Sequence, residues 1–275
     1  MTDAGSLPDP STFSSGVHGT VAGKRGALRR LNDQGLDAWL TLSGTRRRIA
    51  RLAARAPRRD VLVATVYGPE SRCIGPTLDE LRGSRHHVRV AAGSTADLRE
   101  GKFQNLRQLL ADQEPADWTL VVDDDLRVPR NFLDGFIALV EAFEFDLAQP
   151  AQTLASHAAW PSARRVPFSV ARQTNFVEIG PLTAFRRRAA AELLPPPPLA
   201  MGWGLDLHWG ALAHERGWKL GVIDALPVRH EWRPVGGSYS AADATAEAQR
   251  FLADKPYIHA ADAGRTIEEY RAVPQ

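Results

Sequence analysis

The sequence has a single cysteine, Cys73, in 275 residues, so it cannot form a disulfide framework and suits a reducing compartment. No run approaches the roughly 20 consecutive apolar residues that a membrane-spanning helix needs. Residues 1–10 are polar and lack the basic segment followed by an apolar one that marks a secretory signal. These absences predict a cytoplasmic protein.

The composition is that of a globular protein. A hydrophobic content of 44% and a charged content of 24% exclude a wholly disordered chain and allow one substantial core. The charge is uneven, because residues 1–60 hold eleven Lys and Arg against five Asp and Glu, a net +6. The whole chain is +2, so the remainder carries −4. A mildly acidic body lacks the basic face of a nucleic-acid-binding domain, and we expect no nucleic-acid partner.

The basic excess lies in an N-terminal extension. Residues 1–23, rich in Ser, Gly, Pro and Thr, predict a flexible lead-in. Residues 28–56 predict an amphipathic helix rich in arginine. Its apolar positions recur at helical spacing: Ile49, Leu52, Ala53 and Ala56. Such a helix can make a weak contact with an anionic membrane surface, which would make the protein membrane-peripheral. The alternative, which we favour, is a helix packed on the main domain with solvated arginines.

From residue 60 onward, apolar runs alternate with amphipathic segments. Runs expected of strands buried in a sheet are residues 61–66, 88–92, 119–122, 176–179 and 220–223. Helical periodicity covers residues 103–111, 129–143, 182–194 and the segment after 206. This order predicts an α/β fold with a mostly parallel central sheet and helices on both faces. We expect an extension over 1–57, one α/β domain over 58–240 and a partly helical tail over 241–275.

Three consecutive carboxylates, Asp123, Asp124 and Asp125, directly follow the apolar run 119–122. Ligands in open α/β sheets bind beyond the carboxyl ends of strands. Adjacent carboxylates resist ionising together unless a cation compensates them, and a hard divalent cation bridging to a diphosphate is the simplest candidate. The alternative is a solvated turn in which Asp124 or Asp125 caps a helix opening at Pro129. The place at the end of a buried strand favours the ligand site.

Two other segments carry candidate site residues. Lys102 opens the helix before the triplet strand, where it would add charge to backbone donors suited to phosphate; an exposed first-turn lysine is the alternative. In Gly-Trp203-Gly204-Leu-Asp206 the glycines allow a ligand close to the backbone, and Trp203 offers a flat face to a sugar ring. Asp206 could act as a general base, as a helix N-cap, or as both.

The segment Val121-Val-Asp-Asp-Asp125 resembles the strand-Asp-x-Asp signature of GT-A glycosyltransferases. The segments Asn175-Phe-Val-Glu178, Gly202-Trp-Gly-Leu-Asp206 and Gly221-Val-Ile-Asp through His230 are similar, in the same order, to a largely uncharacterised GT-A-like group also found in plants. The similarity covers about residues 60–235. It implies a GT-A catalytic domain over 58–240 that moves a hexose or related sugar from a nucleoside-diphosphate sugar to an unknown acceptor.

The resemblance also implies the role of each site residue. Mn²⁺ or Mg²⁺ would be held by Asp125, His230 and Asp123, and imidazole beside carboxylates suits Mn²⁺ somewhat better. The implied donor contacts are Thr65, Tyr67, Gly68, Lys102, Asp123 and Asp124. The implied acceptor contacts are Trp203, Gly204 and Trp160, the last in a variable loop over residues 151–172. Asp206 or Glu178 would be the base of an inverting enzyme. Donor base, stereochemistry and oligomeric state are not implied.

Three alternatives compete with glycosyl transfer. A phosphatase of the Asp-x-Asp-x-Thr/Val type is disfavoured, because Arg127 occupies the fifth position and the motif lies in mid-chain. A nucleotidyltransferase should have a Gly-rich basic loop after the first strand, and Val66-Tyr-Gly-Pro-Glu70 is not such a loop. A non-catalytic sugar- or nucleotide-binding module of the same fold would be expected to lose part of the set Asp123, Asp125, Asp206 and His230, all of which are present.

Overall fold

The structure is a computed structural model that describes residues 7–15, 21, 23–95, 100–230 and 240–275. The helices are α1 Gly23–Leu42, α2 Thr45–Arg55, α3 Ile74–Arg82, α4 Lys102–Ala111, α5 Phe132–Ala142, α6 Arg187–Leu193, α7 Leu205–Arg216 and α8 Ala241–Leu252. The strands are β1 Asp60–Tyr67, β2 His87–Ser94, β3 Trp118–Val122, β4 Leu126–Arg127, β5 Leu147–Gln152, β6 Ala171–Thr174, β7 Leu182–Arg186, β8 Leu220–His230 and β9 Thr266–Tyr270. Among the described helices none has both the length and the apolar character to cross a bilayer.

The described strands form one mixed sheet in the order β2-β1-β3-β7-β5-β8-β6-β9, and β4 pairs with the end of β8. The pairs β1/β2, β1/β3 and β5/β8 are parallel, and the other five are antiparallel. Six of the nine described strands therefore run in one direction, while β4, β6 and β7 oppose them. The prediction of a mostly parallel sheet is confirmed in the sense that most of the described strands run in the same direction, although most neighbouring pairs are antiparallel.

Helices cover both faces of the sheet, as predicted. Alternate residues of β1 point to opposite faces: Val61 and Val63 join one apolar cluster, and Leu62 and Ala64 join the other. Side chains of α2, α3 and α5 complete the first cluster, and those of α4, α6, α7 and α8 complete the second. Removal of these side chains from water is the main force that holds the layers together.

Two predicted helices are interrupted. The helix expected over 28–56 is the hairpin α1–α2, because Gly44 has a φ of +73°, a left-handed conformation that ends the first helix. The helix expected over 182–194 is strand β7 followed by α6. Its first five residues pair with β3, and two of them, Ala184 and Phe185, also pair with β5, so tertiary pairing outweighs the local helical periodicity.

The predicted strand 176–179 is wrong. This segment is an irregular loop, and its backbone groups bond to side chains instead of a neighbouring strand: the Glu178 N–H donates to Gln149 Oε1, and Thr183 Oγ1 donates to the Glu178 carbonyl oxygen at 2.8 Å. The helix expected from Pro129 begins at Phe132. The lead-in over 1–23 lies partly, and the end of the 58–240 domain over 231–239 wholly, outside the described residues.

Candidate active site

The end of β3 and the end of β8 bring three predicted metal ligands together. Asp125 is followed by β4, which pairs with β8 so that Leu126 lies opposite His230. This pairing places His230 Nε2 2.9 Å from Asp125 Oδ1. One ligand atom from each of Asp123, Asp125 and His230 lies within 4.8 Å of the others. Residues more than 100 positions apart in the sequence therefore meet beside the centre of the sheet.

The imidazole of His230 is fixed from behind. Its Nδ1 lies 3.0 Å from the His157 carbonyl oxygen, which can only accept, so Nδ1 keeps a proton whether or not the ring is charged, and Nε2 faces the carboxylates. The backbone N–H of His230 donates to Ser156 Oγ at 3.1 Å. Burial lowers the pKa of His230, but the hydrogen bond and the charge of Asp125, together with Asp123, outweigh burial and raise that pKa to about 9.

These three side chains fit a divalent cation. A backbone carbonyl that holds one ring nitrogen is the usual means by which proteins aim the other at a metal. Two carboxylate oxygens and one imidazole nitrogen form a donor set suited to Mn²⁺ and acceptable to Mg²⁺. The tautomer of His230 and the convergence of the ligand atoms support this fit independently of each other.

Asp123 is held between Lys102 and the loop before β7. Lys102 Nζ lies 2.5 Å from Asp123 Oδ1, and the Asp123 N–H donates to the Pro181 carbonyl oxygen at 2.8 Å. Gly180 packs against the same carboxylate, because a Cβ added at Gly180 would lie 2.7 Å from Asp123 Oδ2. The glycine thus leaves room for Asp123, and Lys102 lies at the N-terminus of α4, as predicted.

Asp124 faces away from the other two aspartates and joins two loops. Its Oδ2 accepts from the Gly68 N–H at 2.8 Å, and its carbonyl oxygen accepts from Ser71 Oγ at 2.5 Å. Neither Asp124 nor Asp125 caps α5, since Asn131 holds the N-cap position. The cap alternative is therefore wrong.

The predicted donor residues of β1 lie next to the triplet. Thr65 pairs with Val122, the residue before Asp123, and Tyr67 and Gly68 follow it at the strand end. Thr65 is fully buried, and its Oγ1 has no hydrogen-bond partner among the described residues. The Thr65 side chain is therefore closed to a ligand, whereas Tyr67 and Gly68 at the strand end are partly exposed.

Glu178 and Asp206 are buried carboxyl groups, and the charge of Asp206 acts on Glu178. Burial, with the charge of Asp206, raises the pKa of Glu178 to about 8. Burial raises the pKa of Asp206 to about 7, although backbone N–H groups, among them that of Leu207 at 3.0 Å, oppose the rise. Two carboxyl groups that titrate near neutral pH are typical of acid–base sites.

Two glutamines that the sequence did not single out hold Glu178. Gln152 Nε2 donates to Glu178 Oε2 at 2.8 Å, and Gln149 accepts from the Glu178 N–H. A register shift between Pro150 and Gln152 accompanies the contact of two side chains three residues apart with the same residue, Gln149 with its backbone N–H and Gln152 with its carboxylate. The segment Leu-Ala-Gln-Pro-Ala-Gln has neither an apolar run nor an alternation, so only a pair of glutamines inside a buried stretch could have signalled it.

The segment around Trp203 is shaped by its glycines and braced by α8. Gly202 and Gly204 have φ values of +76° and +87°, which residues with a Cβ rarely adopt. Trp203 between them is half-buried, and Asp206 follows in the first turn of α7. The Glu247 carboxylate accepts three successive N–H groups, from Ala200, Met201 and Gly202, at 2.6, 2.9 and 2.9 Å. Asp206 is the second residue of α7, and Gly204 holds the N-cap position, so Asp206 does not cap this helix.

Trp160 lies behind the loop that carries Glu178. Its side chain is 9% exposed, and its ring centroid lies 4.9 Å from that of Phe176. The residue therefore has little surface to offer a ligand directly. A cavity of about 700 Å³ lies elsewhere, between α2, α5 and β8, and none of the predicted site residues lines it.

Comparison with protein-family models and with curated protein sequences gives no match. Solved structures do match. TarS 1-349 from S. aureus in complex with UDP-GlcNAc is similar at a TM-score of 0.51 and 14% identity, over 70% of this chain and 65% of the TarS 1-349 chain. The mannosyltransferase PcManGT from Pyrobaculum calidifontis, in complex with GDP-Man and Mn²⁺, gives 0.45 and 15%, over 72% and 67%. GalNAc-T7 with UDP, GalNAc and Mn²⁺ gives 0.49 and 14%, over 65% and 45%. The chain thus spans less than two thirds of TarS and of GalNAc-T7, and at these identities the likeness shows the fold alone.

Proposed function

We propose that this chain, which has the GT-A fold of glycosyltransferases, is a metal-dependent enzyme that transfers a sugar from a nucleoside-diphosphate sugar to an acceptor. The observation that carries the proposal is the convergence of Asp123, Asp125 and His230 within 4.8 Å at the end of the central strand β3. The TarS structure that shares the fold is a complex with UDP-GlcNAc, which supports a donor of that chemical class.

Asp123, Asp125 and His230 would hold Mn²⁺ or Mg²⁺. When bound, the cation would neutralise negative charge that develops on the departing diphosphate. Lys102 adds a second positive charge beside Asp123, at a helix N-terminus whose backbone N–H groups suit phosphate oxygens. The strand end Thr65–Gly68 would lie along the nucleoside, and Asp124 keeps it in place through the Gly68 N–H.

The two buried carboxyl groups would have different roles: Asp206 would be the general base, and Glu178 would be a hydrogen-bond donor. The ionised form of Asp206 is favoured by backbone N–H groups and by the N-terminus of α7, so Asp206 would accept the proton of the acceptor hydroxyl in an inverting reaction. Glu178, whose pKa is higher, would stay protonated and donate a hydrogen bond. Trp203 and Gly204 would line the acceptor side, while Trp160 would support the Glu178 loop through Phe176.

The test is release of free nucleoside diphosphate from a panel of nucleoside-diphosphate sugars, with Mn²⁺ and with a chelator. We expect metal-dependent release from at least one donor, loss of that release in Asp125→Ala, and no change in Asp112→Ala, an exposed carboxylate outside the site. Metal-dependent donor binding without release would indicate a non-catalytic sugar- or nucleotide-binding module instead. If no donor either binds or releases its nucleoside diphosphate, the proposal is overturned.

A further inference from the structure

The surface formed by α1 and α2 has no part in the proposed transfer and is the most basic region of the chain. Residues 23–58 contain ten Lys and Arg and only two Asp. Asp33 is 8% exposed, and Asp37 lies 3.1 Å from the buried guanidinium of Arg165. Because both carboxylates already have partners on the body of the protein, the outer side of these helices is strongly positive.

Helix α2 places its arginines on the side that faces away from the core. Ile49 and Ala53 are buried, whereas Arg47, Arg51 and Arg55 follow one another at four-residue spacing on the exposed side. Within the described part of the chain, no hydrogen bond or ion pair engages these three guanidinium groups. They are therefore available to an anionic partner.

Helix α1 adds exposed leucines to the same hairpin. Leu28, Leu31 and Leu42 are 61%, 63% and 87% exposed, and their spacing of three and eleven residues puts them on one face of the helix. Leu42 immediately precedes the turn that leads into α2 and its first arginines. Single exposed leucines are ordinary, but three on one face of a helix that leads directly into an arginine-rich amphipathic helix match the composition of helices that lie in a membrane interface.

We propose that the α1–α2 hairpin docks the protein on an anionic phospholipid membrane. The three leucines would enter the boundary between headgroups and acyl chains, and the arginines would contact lipid phosphates. The rest of the chain is net negative, so an anionic membrane repels it and attracts only the hairpin. This difference favours the same orientation. A nucleic acid would also attract the arginines but would leave the leucines in water, which is why a membrane fits the hairpin better.

The docking surface is joined to the candidate active site by one loop. Asp33 of α1 accepts from the N–H groups of Leu154 and Ala155 at 2.9 and 3.0 Å. Two residues further on, the carbonyl oxygen of His157 holds the ring of His230. Docking of the hairpin would therefore bring the site close to the membrane surface. Membrane docking through the hairpin does not depend on glycosyl transfer.

The test is co-sedimentation of the full chain with vesicles of phosphatidylcholine alone and with roughly a third phosphatidylglycerol. We expect binding to the anionic vesicles only, weakened by salt. Each arginine near such a surface contributes about a fivefold gain in partitioning, so the triple variant Arg47→Gln, Arg51→Gln, Arg55→Gln should lose on the order of a hundredfold. The variant Leu28→Gln, Leu31→Gln, Leu42→Gln should also bind less, with its charge unchanged.

A matched control variant loses three arginines on the opposite face of the sheet. Arg107, Arg216 and Arg250 are exposed arginines of α4, α7 and α8, and their replacement by Gln should leave vesicle binding at the wild-type level. Far-ultraviolet circular dichroism checks that every variant is folded. Equal binding to neutral vesicles, an equal loss in the control, wild-type binding by the leucine variant, or binding to a polynucleotide but not to vesicles would each overturn the proposal.

Discussion

The three consecutive aspartates after β3 have three different partners. Asp123 contacts Lys102, Asp124 accepts from the Gly68 N–H, and Asp125 contacts His230. Charge repulsion within the triplet is thus relieved in three directions before any cation binds. Only the outer two residues point to the candidate metal position, so a substitution of Asp124 should loosen the end of β1 more than it weakens cation binding.

Glu178 makes the stability of the metal-free protein depend on pH. The pKa of Glu178 in the folded protein is about 8, against an ordinary value of 4.5. Between these values the folded state keeps a proton that the unfolded chain releases, so the free energy of unfolding falls as the pH rises from about 4.5 to about 8. Glu178→Gln removes this titration and should flatten the decline.

Urea unfolding of wild type and Glu178→Gln at several pH values across that window, in the presence of a chelator, measures the effect. Asp206 and His230, whose pKa values are also raised, to about 7 and about 9, should leave the variant with a shallower decline over the same window. Equal slopes for the two proteins up to pH 8 would mean that Glu178 is not a buried, protonated group.

Gly180 leaves space for the carboxylate of Asp123. A Cβ at this position would lie 2.7 Å from Asp123 Oδ2, so Gly180→Ala should displace the carboxylate and weaken Mn²⁺ affinity, by about the 10- to 100-fold typical of residues that support a metal ligand. Gly75→Ala is the control, because no atom lies within 4 Å of a Cβ added there. Isothermal titration with Mn²⁺ compares the two variants, and equal affinities would contradict the proposed role of Gly180.

At the scale of elements, the parts that the sequence predicted are those with strong local signals. The apolar run that became β3 and the helical period that became α4 were confirmed, because each is buried in the way its pattern requires. The sequence does not predict strand β5, because the two glutamines that hydrogen-bond with Glu178 interrupt its apolar run. Strand β7 was mistaken for a helix, because its structure depends on two neighbouring strands that are remote in sequence.

The hairpin α1–α2, which the sequence analysis assigns to an N-terminal extension, packs on the main domain, as the favoured interpretation of its basic helix expects. Ile49 is 4% exposed and lies against Gly135 of α5, where an added Cβ would be 2.9 Å from Ile49 Cγ2. Ile49→Ala should lower the free energy of unfolding by about 2–5 kcal/mol, through lost burial and a new cavity. Arg47→Ala, on the exposed side of the same helix, should change it by less than about 0.5 kcal/mol.

Urea unfolding followed by circular dichroism distinguishes these two variants. A cost for Ile49→Ala as small as that for Arg47→Ala would mean that α2 is not part of the cooperatively folded unit.

At the scale of the whole molecule, the sequence predicts the residues of the candidate metal site, but it does not predict the residues that hold the site residues in position. The resemblance to GT-A glycosyltransferases groups Asp123, Asp125 and His230, and the structure brings them together. The groups that hold the site could not be found in the same way. His157, Gln149 and Glu247 act through a backbone carbonyl, an amide and backbone N–H groups that only the folded chain brings into range.

The proposed function rests on Asp123, Asp125 and His230 holding a divalent cation that helps to bind a nucleoside diphosphate. A thermal-shift panel of nucleoside diphosphates, with and without Mn²⁺, on wild type and Asp125→Ala tests it most directly. A ligand at a hundredfold excess over its Kd stabilises the folded state by about 2.7 kcal/mol. We predict a Mn²⁺-dependent shift with at least one nucleotide that is lost in Asp125→Ala. No shift with any nucleotide, or an equal shift in the variant, would contradict the account.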